Sequence, residues 1–287
     1  MLAVYKKEMR QAFTSIFGYI FLTFLLALFG IYTYIYNLKL LYASFAYAVS
    51  GVSTFFLFLV PMLTMRSLSE EKKQKTDQLV FTSPVSVTGI ILGKYLALVT
   101  ILFLAIMIVS TYPLILAKYG AVNMKVAYSN IGAFFLLGCA YLAIGLFLSA
   151  LTESQIVAAI STIIVILFTL LADVLKDLIP SDHSISVMAI AVLLLALIAL
   201  SYVMMKNLIV SVVLFVCSFG ALIGTYIAKP ALYDGFLTKL LGWFSLASRF
   251  EDFQYGLFDA TAYVYYFSIA VLFVFLTIQA IKKRRWS

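Results

Sequence analysis

Eight long windows of this chain contain no Asp, Glu, Lys or Arg and are mostly apolar: 11–38, 40–65, 95–117, 126–152, 154–172, 183–205, 207–228 and 260–281. A helix of about 20 apolar residues crosses the hydrocarbon of a bilayer. It also bonds every backbone N–H and C=O internally, which lipid demands. Windows of this length therefore specify an all-α fold, a polytopic membrane helical bundle. The balance of residues agrees: of 287, 64% are hydrophobic and 11% charged, against roughly 25% charged in a soluble domain. Helices are expected near 17–37, 47–66, 87–116, 128–150, 154–174, 187–205, 207–228 and 261–281. Pro61 and Pro113 each remove a backbone donor and are expected to kink the second and third of these.

Eight spans place both termini on one side. That side carries thirteen cations (Lys6, Lys7, Arg10, Arg66, Lys72, Lys73, Lys75, Lys94, Lys206, Lys282, Lys283, Arg284, Arg285) against five anions, whereas the other has seven of each. The net charge of +8 thus falls on one face, and the positive-inside rule makes it cytoplasmic. The first apolar run ends in no small-residue cleavage site, so a retained span is expected rather than a signal peptide. The basic residues mean topology and anionic lipid, not nucleic acid, because no basic stripe interleaved with aromatics lies outside the spans.

One segment breaks the apolar pattern. RSLSEEKKQKTDQLVFTSPVS, residues 66–86, packs seven charges into its first twelve positions. Ser67 with Glu70 has capping-box spacing, Glu71–Lys75 is an i,i+4 pair, and Ser83–Pro84 suits an N-cap followed by proline at the next helix start. The residues alone leave two roles open, a helix resting on the headgroups and a docking element. Thr152 with Gln155 repeats the capping-box pattern in a tight hairpin between the fourth and fifth spans. Gly145 and Ser149 form a small-xxx-small pair that lets neighbouring backbones approach. In the outer segment 231–259, Phe236, Leu237, Leu240, Leu241 and Phe244 recur at helical spacing beside Trp243, as in a half-buried or re-entrant helix. Arg249, Glu251 and Asp252 follow, as a surface cluster or part of an exit gate.

Several chemistries find no residues to carry them. The chain has no G-x-x-x-x-G-K-[ST] phosphate loop, no H-E-x-x-H and no nucleophile elbow. Cys139 and Cys217 lie in apolar runs, and the single His183 has only Asp182 beside it, so no metal site is expected. The window interiors contain no carboxylate, and ion-coupled transporters usually need one there. Work done by such a chain would draw its energy from a partner.

Three stretches together resemble the permease subunits of type-two ABC exporters, most closely the gliding-motility and nitrous-oxide-reductase-maturation group. They are PMLTMRSLSEEKKQKTDQLVFTSPVSVTGIILGKYLA at 61–97, GLFLSALTESQIVAAI at 145–160 and RFEDFQYGLFDATAYVYYFSIAVLFVFLTIQAIKKRRW at 249–286. The resemblance implies one transmembrane domain over 1–287, with an interfacial elbow helix at 1–15 and a coupling helix at 66–82 that docks on an ATPase. By the same resemblance Arg66, Glu70, Glu71, Lys72, Thr76, Leu79, Ser83 and Pro84 form the docking site, and 231–259 forms outer re-entrant or gate helices. Trp243, Phe244, Arg249, Phe250 and Glu251 are then the outer-gate candidates. The implied partners are an ABC ATPase subunit dimer carrying ATP and Mg²⁺, a second permease copy or paralogue, and an accessory membrane protein with an outer domain. No cofactor is expected in this chain, and its place is the prokaryotic plasma membrane. The family usually has six spans, so 187–228 is an extra two-helix hairpin. The family also commonly has glycine before the Thr and Leu-Glu after it, where this chain has Lys75-Thr76-Asp77-Gln78. Two rivals to ATP-driven export accompany this reading: a mechanical coupler that relays ATPase motion to the outer protein, and an intramembrane enzyme.

Overall fold

The computed structural model describes residues 1–75, 86–178, 235–254 and 260–286, with short pieces at 187–188, 190–191, 194–195, 218–220 and 226. Two compact units divide the chain: Met1–Phe168 with Leu246–Ser287, and Thr169–Ser245. In the first unit, α1 (Leu2–Thr14) ends at Ser15, whose extended backbone turns the chain into α2 (Ile16–Thr33). A π-helical stretch, Tyr34–Lys39, prolongs α2. Then come α3 (Ala46–Ser53), α4 (Phe56–Thr64), α5 (Ser69–Lys73), α6 (Val87–Val109), α7 (Thr111–Leu116) and α8 (Met124–Leu151). Next, α9 (Gln155–Leu178) runs from the first unit into the second, which also holds α10 (Phe236–Phe244). The first unit closes with α11 (Ser248–Gln254) and α12 (Ala260–Trp286).

Among the described residues five helices are long and apolar enough to cross a membrane: Ile16–Lys39, Val87–Leu116, Met124–Leu151, Gln155–Ala172 and Ala260–Lys283. The pair Ala46–Ser53 and Phe56–Lys73, bent by 56°, makes a sixth if it is one span. These match the first five and the last of the expected spans. The two expected at 187–205 and 207–228 lie, apart from short pieces, outside the described residues.

The core forms around α8, on which α3, α4, α6, α11 and α12 all pack. Its sequence explains this position. A methyl group at Gly138 would meet Leu102 Cδ2 at 2.5 Å, and one at Gly145 would meet Thr64 Oγ1 at 2.4 Å. Hydrogen in place of a side chain thus lets α6 and α4 close on α8, the approach that small residues give membrane helices. Larger side chains fill the remaining space. Phe134 stacks on Phe56 at 4.5 Å and meets Phe29 edge-on at 5.3 Å, all three buried.

The kinks obey the prolines unequally. Pro113 cannot donate to the carbonyl of Val109, and the helix is interrupted there, between α6 and α7. Pro61, however, sits inside α4, and the second span breaks earlier, between Ser53 and Phe56. There the backbone turns through i,i+3 bonds from Phe55 N to Val52 O (3.0 Å) and from Leu57 N to Thr54 O (3.3 Å). The expectation of a kink at Pro61 is corrected accordingly.

Candidate functional site

The polar chemistry of the first unit gathers where α1, α5, the start of α6 and the end of α8 meet. Lys94, about two turns into α6, is only 2% exposed. A charge at such depth must be paired, and three groups answer it: Glu8 Oε1 at 2.7 Å, Glu71 Oε1 at 3.0 Å and the carbonyl of Ser67 at 2.9 Å. Glu8 belongs to α1 and Glu71 to α5, so one ammonium ties three helices. Lys7, 55% exposed, adds a second bond to Glu71 Oε1 at 2.9 Å. Burial works against ionisation of Glu71, but Lys94 and Lys7 outweigh it and hold its carboxyl below the ordinary carboxylate value. On Lys7 burial acts to lower the ammonium pKa, and the bond to Glu71 more than compensates, so it lies above the ordinary lysine value.

Close approach makes this meeting possible. α1 crosses α6 at Gly93, where a methyl group would lie 3.0 Å from Met1 O and 3.2 Å from Val4 Cβ. Tyr5 adds a hydroxyl contact of 3.1 Å to Thr100. Read from the sequence, Lys94 has only a topological role and Glu8 no role in a site. The available signal was a lone cation inside an otherwise apolar helix, preceded by glycine.

A second set of bonds fixes α5 to α8. Ser149 Oγ, fully buried, accepts from the N–H of Leu68 (3.2 Å) and of Ser69 (3.1 Å), the first free donors of α5. Lys72 Nζ donates to the carbonyl of Ala150, and Ser69 Oγ to that of Met65. The capping box expected from Ser67 and Glu70 is therefore replaced by a serine from another helix. Ser67 Oγ is buried without a partner among the described residues. The other expected caps also shift. Ser86 is the N-cap of α6, accepting from Gly89 N at 3.2 Å, while Ser83 and Pro84 lie outside the described residues. Thr152 Oγ1 accepts from Ser154 N at 3.2 Å rather than from Gln155. The helices begin one to three residues later than the expected caps place them, α5 at Ser69, α9 at Gln155 and α6 at Val87.

Arg66 places its guanidinium 3.6 Å above the Phe17 ring. With Glu70, Ser67 and Lys94 it lines a partly open cavity of about 400 Å³ walled by α1, α2, α4, α5 and α6. Glu70 accepts from Gln74 Nε2 at 3.4 Å, and Lys73, Gln74 and Lys75 are exposed. Lys75 has φ +56°, the left-handed conformation that favours glycine. It stands at the position where the resembled permeases carry glycine. Thr76 and Leu79 lie outside the described residues.

At the opposite end, α8, α12 and the segment 246–254 that includes α11 are bolted together. Asn130 Nδ2 donates to Phe253 O at 2.7 Å, Tyr263 to Ser129 O at 3.0 Å and Tyr266 to Leu246 O at 2.8 Å. Of the outer-gate candidates, Phe250 is buried and Arg249 lies 3.7 Å over the Tyr265 ring. Trp243 and Phe244 are exposed in the second unit, and the side chain of Glu251 lies outside the description.

Among the described residues no three His, Cys, Asp or Glu gather as a metal-holding group. No curated protein matches the chain. Residues 2–180, from α1 through α9, match the family described as ABC-2 family transporter protein. The match takes in more than half of the 287 residues: the chain belongs to the ABC-2 family of membrane transporter proteins.

Proposed function

We propose that the chain is the permease subunit of an ATP-driven exporter of the gliding-motility and nitrous-oxide-reductase-maturation kind. Separate ATPase subunits bind and hydrolyse ATP with Mg²⁺, and a second permease copy or paralogue completes the membrane part. The termini, α1 and α5 face the cytoplasm of a prokaryotic cell, as the charge asymmetry of the sequence supports.

The observation that carries this reading is the attachment of α5. A five-residue helix has little stability of its own, yet this one is pinned to α1 and α6 through Glu71 and to α8 through Ser149 and Lys72. A push on it is passed to three helices at once. The segment divides its labour. Arg66, Glu71 and Lys72 face inward, and Glu70 borders the cavity. The ATPase contact falls to exposed Lys73 and Lys75 with Thr76, Leu79, Ser83 and Pro84.

The test is co-purification with the cognate ATPase. Lys73→Glu combined with Leu79→Ala should strip the ATPase from a chain that stays folded in the membrane. Undiminished co-purification of that variant would contradict docking at 66–82.

A further inference from the structure

The cavity beside α1 has the volume of a small-ligand pocket, about 300–1,000 Å³ in general and about 400 Å³ here. Phe17, Met62 and Ile101 give it an apolar wall. Its charges can be sorted pair by pair. Lys94 and Lys7 are answered by Glu8 and Glu71. Arg66 and Glu70 remain, both on the cavity lining and without an ion pair between them or to any other described residue. Arg66 Nε and Ser67 Oγ are buried with no hydrogen-bond partner among the described residues. Buried polar atoms are ordinarily satisfied. A guanidinium with a free Nε edge suits the oxygens of a phosphate, and a carboxylate nearby suits an ammonium.

We propose that this cavity holds the headgroup of an inner-leaflet aminophospholipid. The phosphodiester meets Arg66 and Ser67, the ammonium meets Glu70, and the glycerol end lies along Phe17 and Met62. Charge complementarity selects this occupant. A purely anionic headgroup answers Arg66 and leaves Glu70 facing a like charge, while a choline headgroup has no N–H to give. The proposal rests on the reading that α1 and α5 lie at the cytoplasmic headgroup level.

Native mass spectrometry of the purified full chain, without any ATPase, tests it. The protein is equilibrated with an equimolar mixture of phosphatidylethanolamine, phosphatidylglycerol and phosphatidylcholine. The wild type should retain one phosphatidylethanolamine in preference to the others. Arg66→Gln should weaken retention by about tenfold or more, the size of a lost charge-assisted bond. Glu70→Gln should keep a lipid but lose the preference over phosphatidylglycerol. Equal retention of the three lipids by the wild type, or unchanged retention by Arg66→Gln, would overturn the proposal. So would displacement of the lipid by millimolar inorganic phosphate, which would make phosphate itself the ligand. The wild-type competition needs no variant, and a thermal midpoint for each variant separates lost binding from lost fold. Because no ATPase is present, failure here leaves the coupling reading standing, and failed ATPase docking leaves this one standing.

Discussion

Lys94 illustrates how one side chain can organise a helix bundle. Its ammonium is almost wholly withdrawn from solvent and sits between Glu8 and Glu71. Breaking a buried pair costs more than forming it gains, because the remaining charges stay buried without a partner. Lys94→Met should therefore lower stability by about 3–5 kcal/mol. Adding Glu8→Gln should recover part of the loss, since one stranded carboxylate is then neutral. Thermal unfolding midpoints in detergent check both. A Lys94→Met protein as stable as the wild type would mean that the carboxylates find other partners. None of this was legible from sequence spacing. Glu8 and Lys94 are 86 positions apart, and only the crossing of α1 over Gly93 brings them together. Arg66 is similar: it reads as part of a charged, solvated run, yet its guanidinium lies over Phe17.

Helix ends and crossings were partly legible. The small-xxx-small pair of α8 announced a close approach, and Gly145 does pack on Thr64 while Ser149 reaches the backbone of α5. Thr64 is fully buried and β-branched, so it cannot swing away from a new methyl group. Gly145→Ala should cost about 1–3 kcal/mol through overpacking, and adding Thr64→Ala should restore a measurable part of the lost thermal midpoint. Caps were less legible, because local spacing cannot show a donor's partner on another helix. Ser67 has the right offset from Glu70, but Ser149, 80 residues from Ser69 along the chain, takes the bonds instead. The break before Phe56 likewise has no proline of its own and arises from i,i+3 bonds.

At the scale of the whole molecule the apolar windows were the strongest message in the sequence. Lipid leaves few alternatives to a helix, and the first five windows and the last coincide with the six spans described, counting the bent pair as one. The family match over residues 2–180 covers the first five of these. What the windows could not convey was how α1, α5, α6 and α8 are joined into one body. ATP turnover reports whether motion passes through that joining. The cognate ATPase is assembled with wild-type chain and with Glu71→Gln, and turnover is measured at matched amounts of complex. Glu71→Gln weakens the tie to Lys94 and Lys7 and leaves the exposed docking face intact. The prediction is normal assembly with turnover lowered several-fold. Normal assembly with unchanged turnover would show that α5 does not pass motion through this tie.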